Sequence, residues 1–267
     1  MLARYTAGEP GKPLIVLVHG MTDGAVSWLE LMRRLRGDFF LVAVDLPGHG
    51  LSDLGVPDSG SPFSPVEIQT AAIEETLGHL QRNYGQVPAV IGHSMGGALV
   101  AEIVSRRPEL ASALVLEDPA WVSDQWVEHY RRRGGAWAKL AERWRAQPED
   151  TLRRVAAKRP GWGALDLLGY VLTNAQVDPA ALAPGEVTPR GSWQQVAAAL
   201  AVPTLLITTD TPKAVVAPAS LEEIATIGNP NLQVQVISGT SHAVRADEPV
   251  EYERIVRAFL ARGLAVD

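Results

Sequence analysis

The chain has 267 residues, 46% of them hydrophobic and 20% charged, with no cysteine and a formal net charge of −6. Such a length can form one large α/β domain with a sizeable core, and the composition is that of a folded protein rather than a disordered one. Lack of cysteine removes disulfides, thiolate metal sites and cysteine nucleophiles, and the acidic balance argues against a nucleic-acid partner.

Residues 1–13 leave room for a single edge strand. Short aliphatic runs then follow at 14–18, 39–44, 88–92, 113–117, 203–208 and 233–237. Most are continuously apolar, as strands buried on both faces must be. Helical patterns at 26–36, 66–83, 95–106, 217–227 and 249–262 separate them. This alternation predicts the α/β class: a mostly parallel sheet with right-handed crossovers and helices on both faces. No apolar run approaches the roughly 20 residues of a membrane-spanning helix. The first run is also too short for a signal-peptide core, so a soluble, cytoplasmic protein is expected.

The alternation breaks between residues 121 and 199, where no strand pattern occurs. Helical spacing there covers 126–133, 136–146 and 150–158, and Gly161, Gly163, Pro179, Pro184 and Pro189 interrupt the remainder. The expected organisation is therefore a core of 1–120 and 200–267 with a helical cap of 121–199 inserted over the carboxyl edge of the sheet. Trp121, Trp126, Trp137, Trp144 and Trp162 lie in this insert. Most are read as cap core, with Trp121 best placed to line a ligand cavity. The basic residues from Arg131-Arg132-Arg133 to Arg159 are read as a solvated helix face.

Gly92-His93-Ser94-Met95-Gly96 is a G-x-S-x-G pentad between an apolar run and a small-residue helical run. That is strand, sharp turn and helix, with a hydroxyl at the apex; the glycines remove Cβ atoms that would clash in so tight a bend. A serine needs a base, and the base needs a third group to fix its tautomer. Of six histidines, His242 stands out. It follows the last strand through Ser238-Gly239-Thr240-Ser241, on the same sheet edge as Ser94. His93 adjoins the serine but points away through the turn, and is read as packing beside the pocket together with Gly20. His19 and His49 sit in glycine turns, and His79 and His129 read as ordinary partly exposed side chains.

Three carboxylates compete for the third role. Asp118 ends the strand next to the nucleophile strand, and Pro119 holds its backbone extended. Asp210 follows the 203–208 run, and Glu117 alternates to the other side of its strand. Asp118 is preferred, with Asp210 as the alternative. Oxyanion donors are expected from the amides of Met95, at the helix start, and Met21, in the glycine turn His19-Gly20-Met21-Thr22-Asp23-Gly24.

Taken together, His19-Gly20, Asp45-Leu46-Pro47-Gly48-His49-Gly50-Leu51-Ser52, Gly92-His93-Ser94-Met95-Gly96-Gly97 and His242 resemble the α/β-hydrolase family over about residues 12–120 and 200–262. Members commonly carry the acid after the strand equivalent to 203–208, in a glycine-acid-x-aspartate pattern. Here Thr209 stands in the glycine slot and Pro212 in the aspartate slot, so Asp210 falls early. A minority, including haloalkane dehalogenases and zearalenone-lactone hydrolases, carries the acid one strand after the nucleophile helix, and Asp118 is similar to that arrangement. The resemblance implies a serine hydrolase of small-molecule carboxylic esters or lactones, with apolar or aromatic substrates favoured by the tryptophans. It implies no cofactor, no metal and no membrane partner. Dehalogenases and epoxide hydrolases of the family use aspartate as nucleophile, so Ser94 argues against them. Carbon–carbon bond hydrolases, cofactor-free peroxidase-like members and non-catalytic hydrolase-like receptors remain alternatives. The oligomeric state is left open, a homodimer included.

Overall fold

A computed structural model describes residues 2–53 and 63–263. Its sheet has seven strands in the order β1-β3-β2-β4-β5-β6-β7. These are β1 Arg4–Ala7, β2 Leu14–Val18, β3 Phe40–Val44, β4 Ala89–His93, β5 Ala113–Glu117, β6 Thr204–Thr208 and β7 Leu232–Val236. All pair in parallel except β1, which runs antiparallel along β3. The six aliphatic runs thus fall on strands, and the N-terminal segment supplies the expected edge strand. Strands β2 to β6 are buried along their whole length, which accounts for their unbroken apolar character.

Helices cover both faces. On one side, α2 (Pro65–Tyr84) and α3 (Met95–Arg106) pack on Leu14, Val16 and Val18 of β2; on the other, α1 (Leu29–Leu35) packs on Ile15 and Leu17. Alternate residues of one strand therefore feed two separate cores. Residues 26–36 are not one helix, because a 3₁₀ turn at Ala25–Trp28 precedes α1.

Between β5 and β6 the described residues hold five helices and no strand: α4 Asp124–Ala146, α5 Pro148–Lys158, α6 Ala164–Gln176, α7 Pro179–Leu182 and α8 Trp193–Ala199. The sequence splits α4 in two at Gly134-Gly135, but the helix runs straight through. A Cβ on Gly134 would lie 2.1 Å from the carbonyl oxygen of Ala183, so that glycine lets α4 approach the chain after α7 rather than breaking the helix. Likewise Gly163 and Pro179 begin helices instead of interrupting them; Asp178 caps α7 by accepting the Ala180 N–H at 2.7 Å. Helix α8 packs on α3 and on α9 (Pro218–Ile227). Short α10 (Val244–Asp247) and long α11 (Pro249–Gly263) complete the chain, α11 joining α1 on its face of the sheet.

The strand order reverses between β2 and β4, leaving a crevice at their carboxyl ends, the usual ligand position of an open parallel sheet. Gly20 follows β2 there and Ser94 follows β4.

Candidate active site

Register brings the candidate side chains together. His93 of β4 lies opposite Glu117 of β5, so the next residues, Ser94 and Asp118, leave the sheet side by side. Ser94 has φ 52° and ψ −119°, a conformation that costs an L-residue about 1–3 kcal/mol. Its own backbone holds it there: Ser94 N–H donates to the Glu117 carbonyl at 3.0 Å, and Ala120 N–H donates to the Ser94 carbonyl at 2.9 Å. The flanking glycines make the bend possible. A Cβ on Gly96 would sit 2.3 Å from the His19 carbonyl oxygen, and one on Gly92 would sit 2.7 Å from Gly97 Cα.

His242 leaves the loop after β7, and its Nδ1 lies 2.5 Å from Oδ2 of Asp118. Asp118 is fully buried, and its backbone is left-handed, φ 40°, rather than extended as the following proline led one to expect. Its carboxylate also accepts from Thr208 Oγ1 at 2.8 Å and from the amides of Val215 at 2.8 Å and Val216 at 3.0 Å. Burial pushes this carboxyl up, but the bond and charge of His242 with the two amides outweigh it and hold Asp118 below its ordinary value. With Nδ1–H directed at the carboxylate, Nε2 keeps the lone pair that a base requires. Asp210 is elsewhere: exposed, it accepts the Gly239 N–H at 2.9 Å and so ties down the loop leading to His242.

Gly20 abuts the serine, since a Cβ there would lie 3.1 Å from both Ser94 Cβ and His93 Cδ2. The Gly20 carbonyl accepts from His19 Nδ1 at 2.7 Å and from the Asp23 amide at 3.2 Å. In a trans peptide the Met21 N–H points the opposite way, away from those partners. Among the described residues neither the Met21 nor the Met95 amide donates to another backbone group. His19 Nε2 accepts the Leu46 amide at 3.0 Å, and burial keeps the ring neutral by lowering its pKa well below the ordinary value. The His49 ring lies 4.8 Å from that of His19, tilted by 54°, with Nε2 2.7 Å from the Met21 carbonyl. Glycine-turn histidines that sequence gave no task therefore brace the Met21 peptide.

A family model described as the alpha/beta hydrolase family matches residues 15–255. The chain belongs to the α/β-hydrolase family. It is similar to epoxide hydrolase 4 of Mus musculus, 30% identical over 110 residues that make up 41% of this chain and 29% of that protein. It is also similar to lipase LipV of Mycobacterium tuberculosis, 32% identical over 118 residues, 44% of this chain and 41% of the lipase. The matches thus span less than half the length of these curated relatives. Among solved structures, E-2-(acetamidomethylene)succinate hydrolase superposes with a TM-score of 0.77 over 97% of this chain and 94% of that one, at 21% identity.

Within this α/β-hydrolase, Ser94, His242, Gly20, Met21 and His93 border one cavity of about 570 Å³. Trp121 is absent from its lining. It is buried instead in the core beside α3, stacked on Trp193 of α8 with ring centroids 5.6 Å apart. Pro119 and Ala120 fold the chain back against the elbow, so the side chain after them turns into the core rather than the crevice. The aromatic walls are Tyr130, Trp137 and Trp144 of α4, Trp162 before α6 and Tyr170 of α6. Trp137, Leu140 and Trp144 recur on one helix face, a spacing already present in the 136–146 helical pattern of the sequence.

A second charged cluster lies under the crevice. Glu117 binds Arg245 of α10 through both the Arg245 amide at 2.8 Å and the guanidinium at 2.5 Å. Arg245 stacks 4.0 Å over Trp28, and His93 lies 3.3 Å from Glu117 with its ring 4.6 Å from that of His242. Burial pushes the Glu117 carboxyl up, yet the Arg245 and His93 charges bring it down to about 2. Glu117 thus anchors the loop that carries His242. Among the described residues no three His, Asp or Glu side chains group as metal ligands, and no helix is long and apolar enough to cross a membrane.

Proposed function

We propose that this α/β-hydrolase is a serine hydrolase that cleaves a carboxylic ester or lactone through an acyl-enzyme. The observation that carries the reading is the Asp118–His242 contact beside a serine held on a strained bend in the same cavity. Ser94 Oγ adds to the substrate carbonyl carbon while His242 Nε2 takes its proton. The carbonyl π electrons move to oxygen, and the oxyanion accepts from the Met21 and Met95 amides, each donor being worth about 3 kcal/mol in the transition state. Collapse expels the alcohol oxygen, which takes the proton from His242. Water then repeats the sequence on the acyl-enzyme and frees the acid and Ser94. In this reading residues 121–199 act as the cap over a core of 1–120 and 200–267, and its tryptophans favour an aromatic or apolar substrate body.

A fluorophosphonate probe tests the nucleophile directly. The wild-type chain is expected to be labelled and to hydrolyse a short p-nitrophenyl ester, and Ser94→Ala to do neither. A wild-type Ser94 that stays unmodified would mark a binding protein with the same fold.

A further inference from the structure

The basic residues of α5 are exposed, as expected of a solvated face, but two of them also border the cavity. Thr151 and Val155 are buried, and one turn of the same helix surface brings Arg154 and Lys158 to the cavity that holds Ser94, with Arg159 beside them. Among the described residues neither Arg154 nor Lys158 has an ion-pair partner. Arg159 reaches Asp247 at 3.5 Å, but that carboxylate already accepts the Trp162 indole N–H at 2.7 Å and the Ser241 amide at 2.5 Å. Two acidic groups share the cavity lining: Asp23 faces Arg245 at 4.0 Å and His93 at 3.6 Å, and Asp166, at the start of α6, feels the charge of the same Arg245. A chain of net charge −6 thus places three cations, two of them unpaired, on one wall of an aromatic cavity.

Resting on the serine-hydrolase reading, we infer that the substrate carries a free carboxylate, bound by Arg154, Lys158 and Arg159 while its ester or lactone carbonyl lies at Ser94. Guanidinium groups stay charged at any working pH and grip a carboxylate with paired N–H donors; the lysine adds a point charge.

Two isosteric pairs test this, one with the charge on the acyl side and one on the leaving alcohol: p-nitrophenyl hemisuccinate against p-nitrophenyl 4-methylpentanoate, and 4-acetoxybenzoate against 4-isopropylphenyl acetate. In at least one pair the anion is expected to win by tenfold or more in kcat/KM, mostly through KM. The anionic-to-neutral ratio should fall about tenfold in Arg154→Gln/Lys158→Gln, and fall in the wild type as salt is raised. Quenching of tryptophan fluorescence by 4-isopropylbenzoate, against 4-isopropylbenzamide, reads the same preference without turnover. Ratios within threefold in both pairs, or a preference that survives the double substitution, would overturn the inference. If Ser94 is not labelled and no ester is cleaved, the chemistry has failed on its own, and the fluorescence titration still decides the carboxylate.

Discussion

At the level of single residues, the acid assignment separates two aspartates that look alike in sequence. Both begin turns after strands, and both carboxylates are held below their ordinary pKa, Asp118 against its own burial and Asp210 first by the Gly239 amide. Only Asp118 touches His242. Asp118→Asn is nearly isosteric and can keep the Thr208 and Val216 bonds to Oδ1, but its NH2 group then replaces the oxygen that accepts from Val215 and from His242 Nδ1. We expect kcat on a p-nitrophenyl ester to drop by about 10³–10⁴, with most of the stability retained. Asp210→Asn still accepts the Gly239 amide, and activity within about threefold of wild type is expected from so exposed a turn contact. Retained activity in Asp118→Asn, with loss in Asp210→Asn, would reverse the assignment. Ser94, His242 and Asp118 stood out as candidates by position: a glycine-flanked apex, a loop between the last strand and helix, and a strand end beside the nucleophile strand; the extended backbone expected before Pro119 did not hold. The Glu117–Arg245 pair was not, since 128 residues separate its members and no local pattern links them.

At the level of elements, runs of apolar residues disclosed the strands because burial on both faces leaves no other composition possible. The insert was harder to read for the opposite reason: glycine and proline have several uses. Gly134 and Gly135 are adjacent and look alike, but a Cβ at Gly134 meets the Ala183 backbone while one at Gly135 meets nothing within 4 Å. Gly134→Ala should therefore destabilise the protein by about 1–3 kcal/mol through overpacking. It should also lower kcat/KM, because α4 carries Trp137, Leu140 and Trp144 of the cavity wall. Gly135→Ala should instead stabilise by up to about 1 kcal/mol, through helix propensity alone. Urea unfolding of the two variants checks the contrast; equal effects would mean that α4 does not press on the chain after α7. Trp121 was misplaced for another reason: its position after β5 suggested the cavity, while Trp137 and Trp144, on one face of the expected 136–146 helix, are the ones that line it.

Across the whole molecule, buried carboxylates give the stability a pH profile with two opposed limbs. Glu117 binds its proton more weakly in the fold, at about 2 against an ordinary 4.5. Its contribution is complete above the ordinary value and is lost as pH falls toward about 2, and Asp118 acts in the same direction. Asp166 of α6 does the reverse. Burial raises its carboxyl to about 6 from 3.8, Arg245 partly opposing and Glu30 adding to the rise. The fold favours its neutral form, so its contribution is complete below the ordinary value and is lost as pH rises through about 6. The protein should accordingly be less stable at pH 8 than Asp118 and Glu117 alone would dictate, because a carboxylate is then ionised in a cavity wall with little water. Asp166→Asn removes that limb while keeping an oxygen near the start of α6. Thermal unfolding should show the variant melting roughly 3–6 °C above wild type at pH 8, with the gap shrinking as pH is lowered to 4. A gap that is constant with pH would show that Asp166 ionises in the fold as it does in the unfolded chain, and that the Arg245 guanidinium, not the loss of water, governs its charge.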